Sequence, residues 1–201
     1  MNHSFFAAIS RMKYIDRWAL MRNSRPENLS EHSMEVAMIA HALCLIGNVR
    51  YGRNLNGDHA AVLGLYHDAP EIITGDLPTP VKYGNTQLKD AYRDVEQAAS
   101  LRLLSGLPDD LRPAFEEVLN IRRTPEDADE AYLRQLVKAA DRISALIKCI
   151  EEERSGNMEF VTARSQTQKR IDELCDACPE VRDFIRDFLP PYGNTLDQLL
   201  G

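Results

Sequence analysis

An all-α globular domain is the fold this sequence predicts, and three observations lead to it. Apolar residues recur at helical spacing along nearly the whole chain. No segment alternates convincingly as a strand would. The helical stripes share no single heptad seam, which excludes a coiled coil. The 201 residues suit one domain, and 44% apolar with 27% charged residues supplies both a core and a solvated surface.

Each element follows from its boundaries. Ser4 is placed to cap a first helix over about 5–15, and Ser30 to cap a second, "EHSMEVAMIAHALCLIG", ended by Gly47. Residues 48–57, rich in Asn and Gly, form a loop, and Asp58 opens a third helix that runs into "YHDAPE". The segment "TGDLPTPVKYGN" holds two prolines and two glycines in twelve residues, which rules out a regular element. A long irregular stretch inside a compact domain is often functional, so it is a candidate binding loop. Helices follow over about 86–104, ended by Gly106 and Pro108, and over about 109–119, and "RRTPEDADE" is a polar loop. The longest apolar-periodic stretch is 130–153, up to Gly156. Two more helices cover about 158–177 and 180–188, and the tail 190–201, opening with "PPYGN", is irregular. The whole chain 1–201 is expected to be one domain with its core over about 4–160.

Charge and cysteine usage narrow the function. A formal net charge of −7 disfavours nucleic-acid polymers, which are gripped by neutralising phosphates. One local basic run, "RMKYIDRWALMRNSR", sets Arg11, Lys13, Arg17, Arg22 and Arg25 against Asp16, enough for one small phosphate. Cys175 and Cys178 make a single C-x-x-C with no second pair to complete a zinc site; with Cys44 and Cys149 they are expected to be thiols without a disulfide framework. The N-terminus has no signal-peptide pattern, and no apolar run approaches the ~18 residues of a membrane span. A cytoplasmic protein with no membrane partner is the simplest expectation.

The informative residues are polar ones on apolar faces. His32 shares a stripe with Val36, Ile39, Ala40 and Leu43. His67 shares one with Ala60, Leu63 and Gly64. Asp141 lies with Leu133, Val137, Ser144 and Ala145, and Lys138 and Lys148 are its candidate partners. Taken singly, each is an ordinary hydrogen-bonded core residue. Taken together, imidazoles and carboxylates sharing one core need a cation, because buried charge is costly unless paired. Nitrogen and carboxylate oxygen suit first-row metals such as Mn, Fe, Co or Zn. His67 and Asp68 are neighbours, so both reach one ion only if it sits tight against the helix end, where Pro70 disturbs regular geometry.

His32, then His67-Asp68, then Asp141 resembles the metal-dependent HD-domain phosphohydrolases. The text around them, "RWALMRNSRPENLSEHSMEVAMIAHAL", "LYHDAPEIITGDLPTPVKY" and "VKAADRISALIKCIEE", looks like the bacterial HD-domain 5′-deoxynucleotidases, over residues from about 4 to about 160. The resemblance implies an HD-domain helical bundle, one divalent ion (Co, Mn, Zn or similar) on His32, His67, Asp68 and Asp141, and a homodimer. It implies catalytic roles for Glu71 and Arg17. It implies that Arg17 orients the phosphate and that Trp18 lies against the sugar and helps reject a 2′-hydroxyl. His67 and Asp141 also meet the substrate, and Asp76, Leu77, Pro78 and Thr79 form its loop.

The expected reaction is hydrolysis of a deoxyribonucleoside 5′-monophosphate to deoxyribonucleoside and phosphate by a metal-bound water. The ion brings that water's pKa towards ~7 and polarises a phosphoryl oxygen. Glu71, one turn from His67, either takes a proton from the water or gives one to the leaving 5′-oxygen. Two alternatives stay open: an HD phosphohydrolase on another nucleotide, such as a dNTP triphosphohydrolase, and a non-enzymatic regulatory protein that keeps a metal for folding.

Overall fold

In a computed structural model the described residues are 3–77, 85–119 and 127–201. They fall into two compact units: those within Met1–Met21, Pro26–Met34 and Leu65–Arg123, and those within Arg22–Arg25, Glu35–Gly64 and Thr124–Gly201.

The first unit opens with α1 (Phe5–Ile9), which tightens into a 3-10 turn over Ser10–Tyr14. Two very short strands follow, β1 (Asp16–Arg17) and β2 (Glu27–Asn28), antiparallel, with Arg17 opposite Glu27. These correct the expectation of no strand; two residues each are too few for alternation to register. α2 (Leu29–Tyr51) begins directly after β2. Its cap is Asn28, not Ser30: the Asn28 Oδ1 accepts the N–H groups of Ser30 at 3.0 Å and Glu31 at 3.1 Å. The unit also holds α4 (Glu71–Thr74), α5 (Thr86–Leu104), capped by Asn85, and α6 (Arg112–Leu119), whose start lies three residues after the expected 109.

The apolar cluster of this unit fixes the positions that matter. Phe5, Met12, Leu29, Ala69, Leu103, Leu104, Leu107 and Leu119 are buried together, with Tyr66, Ile72 and Phe115 against them. Phe5 meets Phe115 edge-on at 4.9 Å between centroids. Burying such a ring contributes roughly 2–3 kcal/mol. Leu29 lies three residues before His32, and Ala69 directly follows His67-Asp68, so one core anchors both segments that carry the candidate ligands.

In the second unit α2 continues to Tyr51, past Gly47. α3 (Gly57–Tyr66) is capped by Asn56 rather than Asp58, the Asn56 Oδ1 accepting the His59 N–H at 3.0 Å. The two helices touch closely at Gly64, where a Cβ would lie 2.7 Å from the Ala37 Cα, so only glycine fits. α7 (Ala128–Arg154) packs on α8 (Val161–Ala177), and α8 on α9 (Pro179–Phe188). The tail is not wholly irregular: α10 (Leu196–Leu200) forms behind a capping box of Thr195 and Gln198. None of the four cysteines is in a disulfide. "RRTPEDADE" lies mostly outside the described residues.

α2 also departs from the expectation that no segment could span a membrane. By length and composition it passes that test, yet more than half of its most apolar window is buried inside the protein. Its buried side, with Leu29, Val36, Ile39, Ala40 and Leu43, is that of a core helix.

A buried carboxylate clamps the 22–25 segment to α7. Glu152 accepts the backbone N–H groups of Ser24 at 2.8 Å and Arg25 at 3.2 Å, and the Asn157 side-chain amide at 2.8 Å. Lys148 pairs with Glu152 and donates to the Arg25 carbonyl, so it is not available to Asp141 as the sequence suggested. Burial pushes the Glu152 carboxyl up, but Lys148, the Ser24 N–H and Asn157 bring it down to about 2 from an ordinary 4.5. A folded value below the unfolded one stabilises fully above the unfolded pKa and is lost as pH falls through the folded one. Glu152→Gln is therefore expected to cost about 3 kcal/mol at neutral pH, because it leaves Lys148 buried and uncompensated. The gap to wild type should close as pH falls from 4.5 towards 2. Denaturant melts across that range check it; a gap independent of pH would contradict it.

Candidate functional site

The segment after α3 decides the site. Helix geometry stops at Tyr66, and the next four residues make a hydrogen-bonded turn: the Ala69 N–H donates to the Tyr66 carbonyl at 3.0 Å, and the Glu71 N–H to the Asp68 carbonyl at 2.9 Å. Pro70 closes this turn and starts α4. His67 and Asp68 thus sit in the turn just past the helix end. His32, on α2, is 1% exposed.

These three side chains converge. The His67 Nε2 lies 3.1 Å and the His32 Nε2 3.5 Å from the same oxygen, Oδ2 of Asp68. The imidazole centroids are 5.2 Å apart, and each ring offers a nitrogen within 4.8 Å of the other's. Burial alone would push the Asp68 carboxyl up; the imidazoles of His67 and His32 and the Arg17 guanidinium outweigh it and hold it well below the usual carboxylate range. Two imidazole nitrogens and a carboxylate oxygen on one point form a donor set that fits a first-row divalent ion.

Arg17 borders this cluster. Its Nε donates to Glu27 Oε2 at 3.0 Å and its NH1 to Asp68 Oδ2 at 3.3 Å. The guanidinium is 11% exposed and held from two sides, which orients a rigid fork. Glu27 was missed by sequence reasoning. Its role comes from the ribbon register that sets it opposite Arg17, and a two-residue ribbon leaves no sequence signal. Arg11 and Lys13 lie over the Tyr14 ring, and Arg22 reaches Glu159.

Trp18 is half-buried and takes φ 56°, the one non-glycine positive φ among the described residues. Its N–H donates to Asp76 Oδ2 at 3.3 Å. Glu71 is 4% exposed in the first turn of α4, so it is not a solvated acid at a helix C-terminus. Its backbone N–H bond to Asp68 ties it to the ligand turn. Leu77 is half-buried beside Asp76, whereas Pro78 and Thr79 lie outside the described residues. Asp141 is half-buried in the middle of α7, flanked on its stripe by buried Val137 and Ser144. Of the remaining histidines, His41 lies 3.7 Å from Asp58 and His59 3.4 Å from Glu130, which fits structural roles.

Known proteins resemble this chain in sequence and in fold. Residues 4–192 match the family model described as 5′-deoxynucleotidase YfbR-like. A 5′-deoxynucleotidase of Erwinia tasmaniensis is 44% identical over 200 residues, 99% of this chain and 98% of that one. An HD-domain phosphohydrolase from Listeria innocua superposes with a TM-score of 0.80 at 23% identity, covering 96% and 90% of the two chains. The cyanophage S-2L HD phosphohydrolase DatZ, solved with dA and one catalytic Zn2+ ion, gives 0.61 at 20% identity, covering 88% and 89%.

Proposed function

Because this chain belongs to the YfbR-like 5′-deoxynucleotidase family, we propose that His32, His67, Asp68 and Asp141 hold one divalent ion at which a deoxyribonucleoside 5′-monophosphate is hydrolysed. The enzyme is a phosphoric monoester hydrolase that releases the deoxyribonucleoside and phosphate. The observation that carries the reading is the aim of both imidazole Nε2 atoms at one carboxylate oxygen, at 3.1 and 3.5 Å. When bound, the ion acidifies a water and polarises a phosphoryl oxygen.

The chain's own residues do the rest. Asp68 and Asp141 bring two negative charges that a divalent ion neutralises, so a dianionic phosphate is not repelled. Arg17, held by Glu27, presents its fork to phosphate oxygens and fixes the group in line for attack. As water attacks phosphorus the P–O5′ bond breaks, and Glu71 moves the proton, from the water or to the leaving 5′-oxygen. Trp18 lies against the sugar where a 2′-hydroxyl would project. Asp76, Leu77, Pro78 and Thr79 line the nucleoside side, and His67 and Asp141 complete the contacts at the phosphate.

The 201 residues work as one HD domain. The enzyme is a cytoplasmic homodimer; the exposed Met38, Leu45 and Val49 along α2 favour an apolar partner surface. Phosphate release from dAMP, dGMP, dTMP, AMP and dATP tests the function. The three deoxyribonucleoside monophosphates are expected to turn over in the presence of added Co, Mn or Zn, and AMP and dATP far more slowly. A preference for dATP would transfer the site to triphosphohydrolysis.

A further inference from the structure

We propose that Asp76 is a positioning residue: its carboxylate holds the Arg17–Trp18 peptide and so keeps Trp18 in the strained conformation that aims its indole. A tryptophan at φ 56° is in a conformation that costs any residue with a Cβ, so surrounding bonds must enforce it. The structure shows which. The Trp18 N–H, which belongs to the peptide joining it to Arg17, donates to Asp76 Oδ2 at 3.3 Å. The Trp18 carbonyl accepts the Met21 N–H at 2.8 Å. On the Arg17 side the ribbon register and the Glu27 carboxylate hold the chain.

Asp76 adds a hold on the N–H side of the peptide that joins the two residues. Without that bond the Trp18 φ can relax out of the left-handed region, which turns its Cα–Cβ bond and with it the indole. Asp76 follows Gly75, whose φ of 74° turns the chain out of α4 and aims the carboxylate back at Trp18. The resemblance placed Asp76 in the substrate loop. Its Oδ2 accepts from the protein's own backbone, so the residue links the substrate loop to the peptide that carries Arg17 and Trp18. The consequence for substrate choice rests on the deoxynucleotidase reading; the conformational consequence does not.

Trp18 is the single tryptophan of the chain, so tryptophan emission in substrate-free protein reports on the placement of its indole. Asp76→Ala is expected to red-shift the emission and raise its quenching by iodide. Asp76→Asn, whose amide oxygen accepts the same bond, should restore both. In dAMP turnover the alanine variant should raise KM about fivefold with kcat within about twofold, the loss of one ordinary hydrogen bond. In the wild-type protein the Trp18 amide should exchange with solvent more slowly than that of exposed Leu20, a measurement that needs no variant to fold. Unchanged emission in a folded Asp76→Ala protein, or a Trp18 amide as fast as that of Leu20, would overturn the proposal whatever the substrate. If emission and exchange behave as stated while no deoxynucleotide is hydrolysed, the anchor stands and the proposed activity falls.

Discussion

Replacing His67 with alanine is expected to lower kcat/KM for dAMP by at least about a thousandfold, because most of the rate depends on an ion that the three remaining ligands hold poorly. The effect should be local. His67 lies in the turn after α3 and is only partly buried, while Leu29 and Ala69 keep the core that positions the segment. The melting temperature of the metal-free protein should therefore change by no more than a few degrees. Excess Mn or Co should recover part of the activity, since His32 and Asp68 still present a nitrogen and an oxygen 3.5 Å apart. Turnover within tenfold of wild type, without added metal, would remove His67 from the catalytic centre.

Glu71→Gln separates proton transfer from metal binding. The change preserves shape and hydrogen-bonding capacity, and the backbone bond from Glu71 to Asp68 is untouched. The variant should bind the ion as wild type does and bind dAMP with a similar KM. Its kcat should fall by about 10²–10⁴-fold, the usual contribution of a positioned acid or base. The limb of the pH–rate profile that Glu71 supplies should vanish with it. A Glu71→Gln enzyme that keeps wild-type kcat would show the proton moving through another group, and Arg17 and the ion would have to carry the chemistry.

How much of this was legible in the sequence differs from element to element. The long helices were, because periodicity survives over many turns: 86–104 coincides with α5, and 130–153 lies within α7. Two caps were misplaced, each by two residues. Asn28 and Asn56 compete with Ser30 and Asp58 for the same backbone donors, and which wins depends on the turn before the helix. His32 and His67-Asp68 were found from their place on apolar faces together with the family resemblance, and the structure brings those three together. The turn at 67–70 was only hinted at by Pro70. Glu27, the Asp76–Trp18 contact and the Glu152 clamp were invisible, because each joins residues distant in sequence through a backbone group or a ribbon too short to show a pattern. A positive φ at a tryptophan leaves no trace in composition.

The central claim is that side chains from three separate segments share one divalent ion. Titration of metal-free wild-type protein and of Asp141→Ala with Mn, Co and Zn, followed calorimetrically, tests it most directly, since residue 141 comes from the segment most distant in sequence. One ion per chain for wild type, and binding at least about a hundredfold weaker for Asp141→Ala, is the predicted result. An Asp141→Ala protein that binds the ion with wild-type stoichiometry and affinity would contradict it.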